Sequence, residues 1–272
     1  MRNLVRIEDP ADPRIAGFVA IKERDLAGRQ GRFIAEGKVV LAMLAAALPR
    51  GFAAEAILLL ENRVAGVADL LDRFAPEMPI YVASGAVFDA IAGFNMHRGI
   101  LALGARPPEV DADLLLAGLP EPCLVLAACG ISNHDNMGAL FRNAAAFGVG
   151  AVMLDETCCD PLYRKAIRVS VGSVLSVPFV RGGSTGRLVE RLLDNGFSLF
   201  GLSPRGETEL GTLAPAARTA LLLGTEGEGL PPAILATIRT ARIRQAPGLD
   251  SLNVATAAGI ALHHAALING LI

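Results

Sequence analysis

The 272-residue sequence has no tryptophan, only two tyrosines, and four cysteines. Lysine is nearly as scarce: Lys22, Lys38 and Lys165 are the only three, so 22 of the 25 cations are arginines. Cys123, Cys129, Cys158 and Cys159 form no C-x-x-C pair, so the spacing of a four-ligand zinc site is missing. A chain this long does not need disulfides, and the expectation is reduced thiols in a cytoplasm. The first 14 residues are charged and have no apolar core, so no signal peptide is expected. Purely apolar runs such as 39–48 reach about ten residues, too short to span a bilayer. No G-x-x-x-x-G-K-[S/T] occurs, which argues against a P-loop phosphotransferase.

What is present is apolar and nearly neutral. Hydrophobic residues make up 52% and charged residues 19%, which excludes a mainly disordered chain. The net charge of −2 excludes a globally basic nucleic-acid binder and a polybasic membrane binder. The arginine excess is either compositional bias or a use of planar guanidinium groups against phosphate.

Residues 106–122 (RPPEVDADLLLAGLPEP) carry four prolines and four acids and read as a boundary between two halves. The expected division is 1–106, a linker 107–122, and 123–272. In the first half, helical spacing at 15–26, 38–48, 65–74 and 85–92 alternates with strand-like runs at 33–35, 56–60, 80–82 and 100–103. In the second half, apolar runs at 123–128, 151–154, 174–180, 197–202, 220–223 and 241–243 alternate with helical segments at 138–147, 161–169, 187–195, 231–238 and 254–268. Both patterns predict an α/β fold with a mostly parallel sheet. Ligands in such sheets bind where loops leave the carboxyl ends of strands.

Three of those loops carry chemistry. The first, ISNHDNMGALFRNAAAFG from Ile131, places Asn136 in the loop and Arg142 about one and a half turns into a helix. A cap from Asn133, Asp135 or Asn136 with a surface arginine explains it equally well. The second, LLLGTEGEGL, sets Gly224, Gly227 and Gly229 around Glu226 and Glu228. Glycines let backbone approach a ligand closely, and two carboxylates disfavour a bare anion. A tight strand-to-helix turn is the alternative. In the third, ARIRQAPGLDSLNVATAAG, Asp250 or Ser251 would suit a helix cap. The small residues Ala255, Ala257, Ala258 and Gly259 behind it suit close backbone packing.

In this order the three loops resemble the SpoU (TrmH) family of RNA ribose 2′-O-methyltransferases. The family pattern N-x-G-A-x-x-R stands as Asn136-Met-Gly138-Ala139-Leu-Phe-Arg142. G-(S/T)-E-G-x-G-L stands as Gly224-Thr225-Glu226-Gly227-Glu228-Gly229-Leu230, and S-L-N-V as Ser251-Leu252-Asn253-Val254. Asn133-His134 replaces a frequent Asp-Pro, and Ala255 a frequent serine. Phe33-Ile-Ala-Glu36-Gly37 and His97-Arg98-Gly99-Ile100 resemble, more loosely, the small L30e-like domain often fused to this enzyme.

The resemblance implies a parallel α/β-knot (trefoil) methyltransferase domain behind an L30e-like substrate-binding domain. It implies S-adenosylmethionine as cofactor, a homodimer and no metal. Ribosomal RNA is the favoured substrate; a tRNA 2′-O-methyltransferase and a catalytically silent RNA-binding homologue are the alternatives. Arg142, Asn136, Glu226, Ser251 and Asn253 would be catalytic. Leu223, Gly224, Gly229, Ile243 and Leu252 would hold the cofactor. A guanidinium stays protonated in water, so Arg142 would act electrostatically rather than as a base. Arg24, Arg29, Arg32, Arg164, Lys165 and Arg168 are expected to bind RNA phosphates, on one face that includes Arg142.

Overall fold

A computed structural model describes residues 3–19, 31–93, 98–248 and 250–272. The chain divides into two compact units, Met1–Pro108 with Leu162–Ser176, and Glu109–Pro161 with Val177–Ile272. Among the described residues, no helix is long and apolar enough to cross a membrane.

The first unit runs β1 (Leu4–Ile7), β2 (Arg32–Glu36), α1 (Lys38–Ala47), β3 (Ala53–Leu60), α2 (Val64–Leu71), β4 (Ile80–Ala83), α3 (Gly85–Ala92) and β5 (Ile100–Ala105). Its five-stranded sheet has the order β1-β4-β3-β5-β2. β4 is parallel to β1 and β3, but β5 is antiparallel to both β2 and β3. The expectation of a mostly parallel sheet fails here. β5 enters beside the carboxyl ends of its neighbours, where the Gly37 N–H donates to Ile100 O and the Leu60 N–H to Gly99 O. No crossover carries the chain back to the amino edge first. The helix expected from residue 15 is a 3-10 turn, Pro13–Phe18, whose Ile15 and Phe18 pack with Phe88 and Ile91.

The second unit runs α4 (Ala112–Ala117), β6 (Cys123–Ala128), α5 (His134–Ala146) and β7 (Ala151–Leu154). After α6 (Arg164–Val169), which belongs to the first unit, it continues with β8 (Phe179–Arg181), α7 (Thr185–Asp194), β9 (Ser198–Leu202), β10 (Thr208–Glu209), β11 (Arg218–Leu223), α8 (Pro232–Leu235), β12 (Arg239–Arg242) and α9 (Val254–Ile268). The sheet order is β10-β12-β9-β11-β6-β7-β8, with every pairing parallel. Every residue of β6 and β7 is buried, which is why these strands read as unbroken apolar runs. Phe141 of α5 is fully buried and meets Phe179 edge to face at 5.4 Å between centroids. Truncating such a side chain costs about 3–5 kcal/mol.

Two stretches differ from expectation. Residues 107–122 are more than a linker: Asp111 caps α4, and Ala112 and Leu116 are buried in the second unit's core. Residues 174–180 are not one strand but a 3-10 turn, Ser173–Leu175, then β8. Gly172, at φ 84°, starts that turn, and Pro178 has no N–H to donate to a ladder. Within the first unit, Arg50 donates to Ser176 O, and Gly172 packs on Met43. The charged α6 packs on β2, and the 3-10 turn after it packs on α1, within the first unit.

Candidate active site

The loops leaving the carboxyl ends of β6, β11 and β12 converge. The α5 helix starts at His134, capped by Asn133, whose Oδ1 accepts from the Asp135 N–H at 2.8 Å. Asn136 therefore lies in the first helical turn, not in the loop, and it is buried. Arg142 follows six residues later. At about 100° per residue it points roughly 240° around the helix from Asn136. It is exposed, away from Asn136.

The second loop closes on itself. Thr225 N–H donates to Gly229 O and Gly229 N–H to Thr225 O, both at 3.1 Å. A Cβ on Gly224 would come within 2.1 Å of the Gly229 backbone, so only glycine fits. Gly130, after β6, faces Thr225 the same way: its Cβ would reach Thr225 Cγ2 at 2.3 Å. Leu223 is buried, Gly229 has φ 74°, and Glu226 and Glu228 are exposed.

The third loop ends in the cap of α9. That cap is Asn253, not Asp250 or Ser251: its Oδ1 accepts from the N–H groups of Ala255 (2.9 Å) and Thr256 (3.3 Å). Its Nδ2 donates to Asn136 Oδ1 at 3.1 Å and to Glu226 Oε1 at 3.4 Å. One amide thus ties one residue from each loop into a cluster. Ser251 is exposed, Leu252 and Ile243 are half-buried, and Arg142 stands outside the cluster. Behind the cap, Asn143 Nδ2 donates to Ala255 O at 2.8 Å, and Gly259 lies against the Asn143 side chain. The small residues of α9 therefore seat it tightly on α5, with Ala255 and Ala258 buried as well.

Asp155, just after β7, was not anticipated. It is buried, and its Oδ1 accepts from Gly130 N–H (3.1 Å), Thr157 N–H (3.1 Å), Thr157 Oγ1 (2.8 Å) and Cys158 N–H (3.1 Å). Its Oδ2 accepts from Thr185 Oγ1 at 2.9 Å. Burial alone would raise its pKa, but these hydrogen bonds outweigh it and hold the carboxyl below its ordinary value. Asp155 therefore fixes Gly130, and with it the start of the first loop. The one available signal was an aspartate directly after an apolar run, followed by threonine.

Burial disfavours the thiolate form of the four cysteines. Burial pushes Cys129 up to about 11, Cys158 to about 12 and Cys159 to about 11. Among the described residues, no three His, Cys, Asp or Glu side chains could hold a metal.

The basic residues divide. Arg142 belongs to the second unit, whereas Arg164, Lys165 and Arg168 lie on α6 in the first. Arg32 pairs with Glu55 at 2.8 Å, which neutralises part of its charge. Arg24, Arg29 and His97 lie outside the described residues.

The second loop's chemistry suits a cationic ligand rather than a bare anion. The Gly224 loop presents backbone and two carboxylates, and the Gln245 Oε1 is a buried acceptor with no partner among the described residues. Residues 123–263 match the SpoU rRNA Methylase family. The chain is 37% identical to an uncharacterised tRNA/rRNA methyltransferase of Mycobacterium tuberculosis, over 94% of this chain and 89% of that protein. It is 30% identical to a 23S rRNA (guanosine-2′-O-)-methyltransferase of Ralstonia nicotianae, over 64% of this chain and 71% of that protein. A solved RNA 2′-O ribose methyltransferase superposes with a TM-score of 0.76 at 27% identity, covering 99% of this chain and 100% of that one. An AdoMet-bound rRNA methyltransferase from Sinorhizobium meliloti shares the fold, with a TM-score of 0.81 at 22% identity and coverage of 96% and 97%. The chain belongs to the SpoU rRNA methylase family.

Proposed function

We propose that this protein methylates a ribose 2′-hydroxyl in structured ribosomal RNA, using S-adenosylmethionine. The observation that carries this reading is the junction of three loops at Asn253, which contacts both Asn136 and Glu226. When bound, S-adenosylmethionine supplies a methyl group activated by its sulfonium.

The chain's residues do the rest. The backbone around Leu223, Gly224, Gly229, Ile243 and Leu252 holds the adenosine. Glu226 and Glu228 put negative charge where a cationic ligand is needed. Asn136 and Asn253 orient the ribose, with Ser251 at the rim. The Arg142 guanidinium stabilises negative charge developing on the 2′-oxygen, a contribution worth about 10²–10³ in rate for comparable oxyanion donors.

The exposure of Arg142 is explained if the working enzyme is a homodimer. Thr256, Ile260, His263 and Leu267 follow one another at helical spacing on the outer face of α9. Ile260 is 41% and Leu267 56% exposed, and the His263 ring meets Phe147 at 5.5 Å. A second copy covering this stripe would lie next to the helix that carries Arg142.

We read this domain as an α/β-knot on the strength of the family resemblance, and the chain between β9 and β10 runs tightly against β12. A Cβ on Gly206 would meet the Ala241 backbone at 2.5 Å, and Ser203 N–H donates to Ala241 O. We assign the first unit the role of an L30e-like substrate-binding domain, with Arg164, Lys165 and Arg168 as phosphate contacts. The four free cysteines are in keeping with work in the cytoplasm.

Mapping 2′-O-methylation in rRNA and tRNA from a deletion strain and its parent tests the proposal. Loss of one rRNA methyl group, restored by the gene, is the expected result. Loss of a tRNA methyl group instead would move the substrate to tRNA. An unchanged map would leave a silent RNA-binding homologue.

A further inference from the structure

The Gln245 amide oxygen is buried and has no hydrogen-bond partner among the described residues. An acceptor in that state costs stability unless a ligand donor completes it. Its position says which ligand. In the chain that continues β12, exposure alternates: Ile243 and Gln245 are half-buried, Arg244 and Ala246 exposed. Ile243 and Gln245 are thus the two less exposed side chains of this segment.

The backbone leading to them is anchored. Arg244 donates to Glu209 Oε2 at 2.7 Å, and Arg242 to Glu209 Oε1 at 3.2 Å. Arg242 also donates to Gly206 O at 2.7 Å and Glu207 O at 3.0 Å. Gln245 thus stands two residues from Ile243, which the cofactor reading above assigns to the pocket, with its buried Oε1 unpaired among the described residues.

We propose that Gln245 reads the purine edge of the cofactor, its Oε1 accepting from the exocyclic amino group of adenine. This rests on the cofactor pocket proposed above. Of the donors on S-adenosylmethionine, the cationic ammonium is better matched by the carboxylates of Glu226 and Glu228. The ribose hydroxyls would be served equally by backbone carbonyls. A carboxamide, by contrast, sets an acceptor and a donor side by side, and adenine presents the reverse pair on its edge. Gln245 is then a specificity-determining residue that selects an amino-bearing purine.

The test is calorimetric and does not depend on turnover. The probes are S-adenosylhomocysteine and its purine analogue with the exocyclic amino group replaced by hydrogen. Wild type is expected to bind the adenine compound about tenfold more tightly, the scale of one net hydrogen bond to a buried acceptor. In Gln245→Met the two ligands should bind within about twofold of each other. Gln245→Glu, which keeps an acceptor, should retain the preference. Equal affinities in wild type, or an undiminished preference in Gln245→Met, would overturn the assignment while leaving the cofactor pocket intact. Failure of wild type to bind either ligand would overturn the pocket itself and Gln245's role with it.

Discussion

The loops after β7 and after β12 leave the same edge of one sheet with opposite hydrogen-bonding states. After β7, the Asp155 carboxylate accepts from Gly130, Thr157, Cys158 and Thr185 and has nothing left to offer. After β12, the Gln245 acceptor has no partner among the described residues, and the Asn253 amide bridges two side chains from other loops. The first arrangement is complete within the chain and serves as scaffold. The second is complete only with something added. A satisfied buried carboxylate and an orphaned buried amide are both costly to build, but only the orphan points to a ligand.

The contrast can be broken by substitution. The largest effect is expected for Arg142→Ala, an exposed residue outside the cluster. Methyl transfer to an accepted RNA should fall at least about 100-fold, while the urea midpoint stays put. Near-full activity would remove Arg142 from the catalytic set.

Asp155→Asn should do the converse. Breaking a buried carboxylate network costs about 2–4 kcal/mol, read by urea denaturation at pH 7. The folded pKa of Asp155 lies below its unfolded value, so its stabilisation is present above an unfolded pKa of about 4. It is lost as pH falls through the folded value. The gap between wild type and Asp155→Asn should therefore narrow below about pH 4, and a gap that widens there would contradict the pairing.

A smaller effect is expected on the outer face of α9. Ile260→Asp with Leu267→Asp should shift a dimer to monomer by light scattering and leave the far-ultraviolet circular dichroism unchanged. A wild-type monomer would rule out the dimer. The smallest effect belongs to the thiols. With Cys129, Cys158 and Cys159 near 11–12, iodoacetamide at pH 7.5 should leave the folded protein's activity unchanged. Rapid inactivation would mean that one of these loops opens.

Much of the sheet was legible in the chain itself. The strands Cys123–Ala128 and Ala151–Leu154 and the helix Gly85–Ala92 coincide with their apolar patterns, because strands buried on both faces must be apolar throughout. β1 was not legible: four residues at a sheet edge, paired only with β4, carry too little pattern. The apolar run at 174–180 misled for a different reason. Val174 and Leu175 are buried, but in a 3-10 turn of the first unit, whereas Val177–Val180 belong to the second. Periodicity reports burial and not which neighbour supplies it. The site was legible as residue types in three loops. The placement of Asn136 inside the helix, and the choice of Asn253 as the cap of α9, were not. Several cap-forming residues stood in a row in each case, and only backbone geometry selects among them.

The sequence by itself determined that the second unit would be a buried α/β sheet and that Gly224, Glu226 and Asn253 would lie in loops after strands. Local composition decides such things, since glycine, capping residues and apolar runs act over a few residues. Only the tertiary structure decided which groups meet. Asn253 reaches Asn136 across 117 positions, and Asp155 reaches Gly130 across 25. Hydrogen bonds between such distant positions form only after the sheet has brought its carboxyl edge together, so no local pattern encodes them.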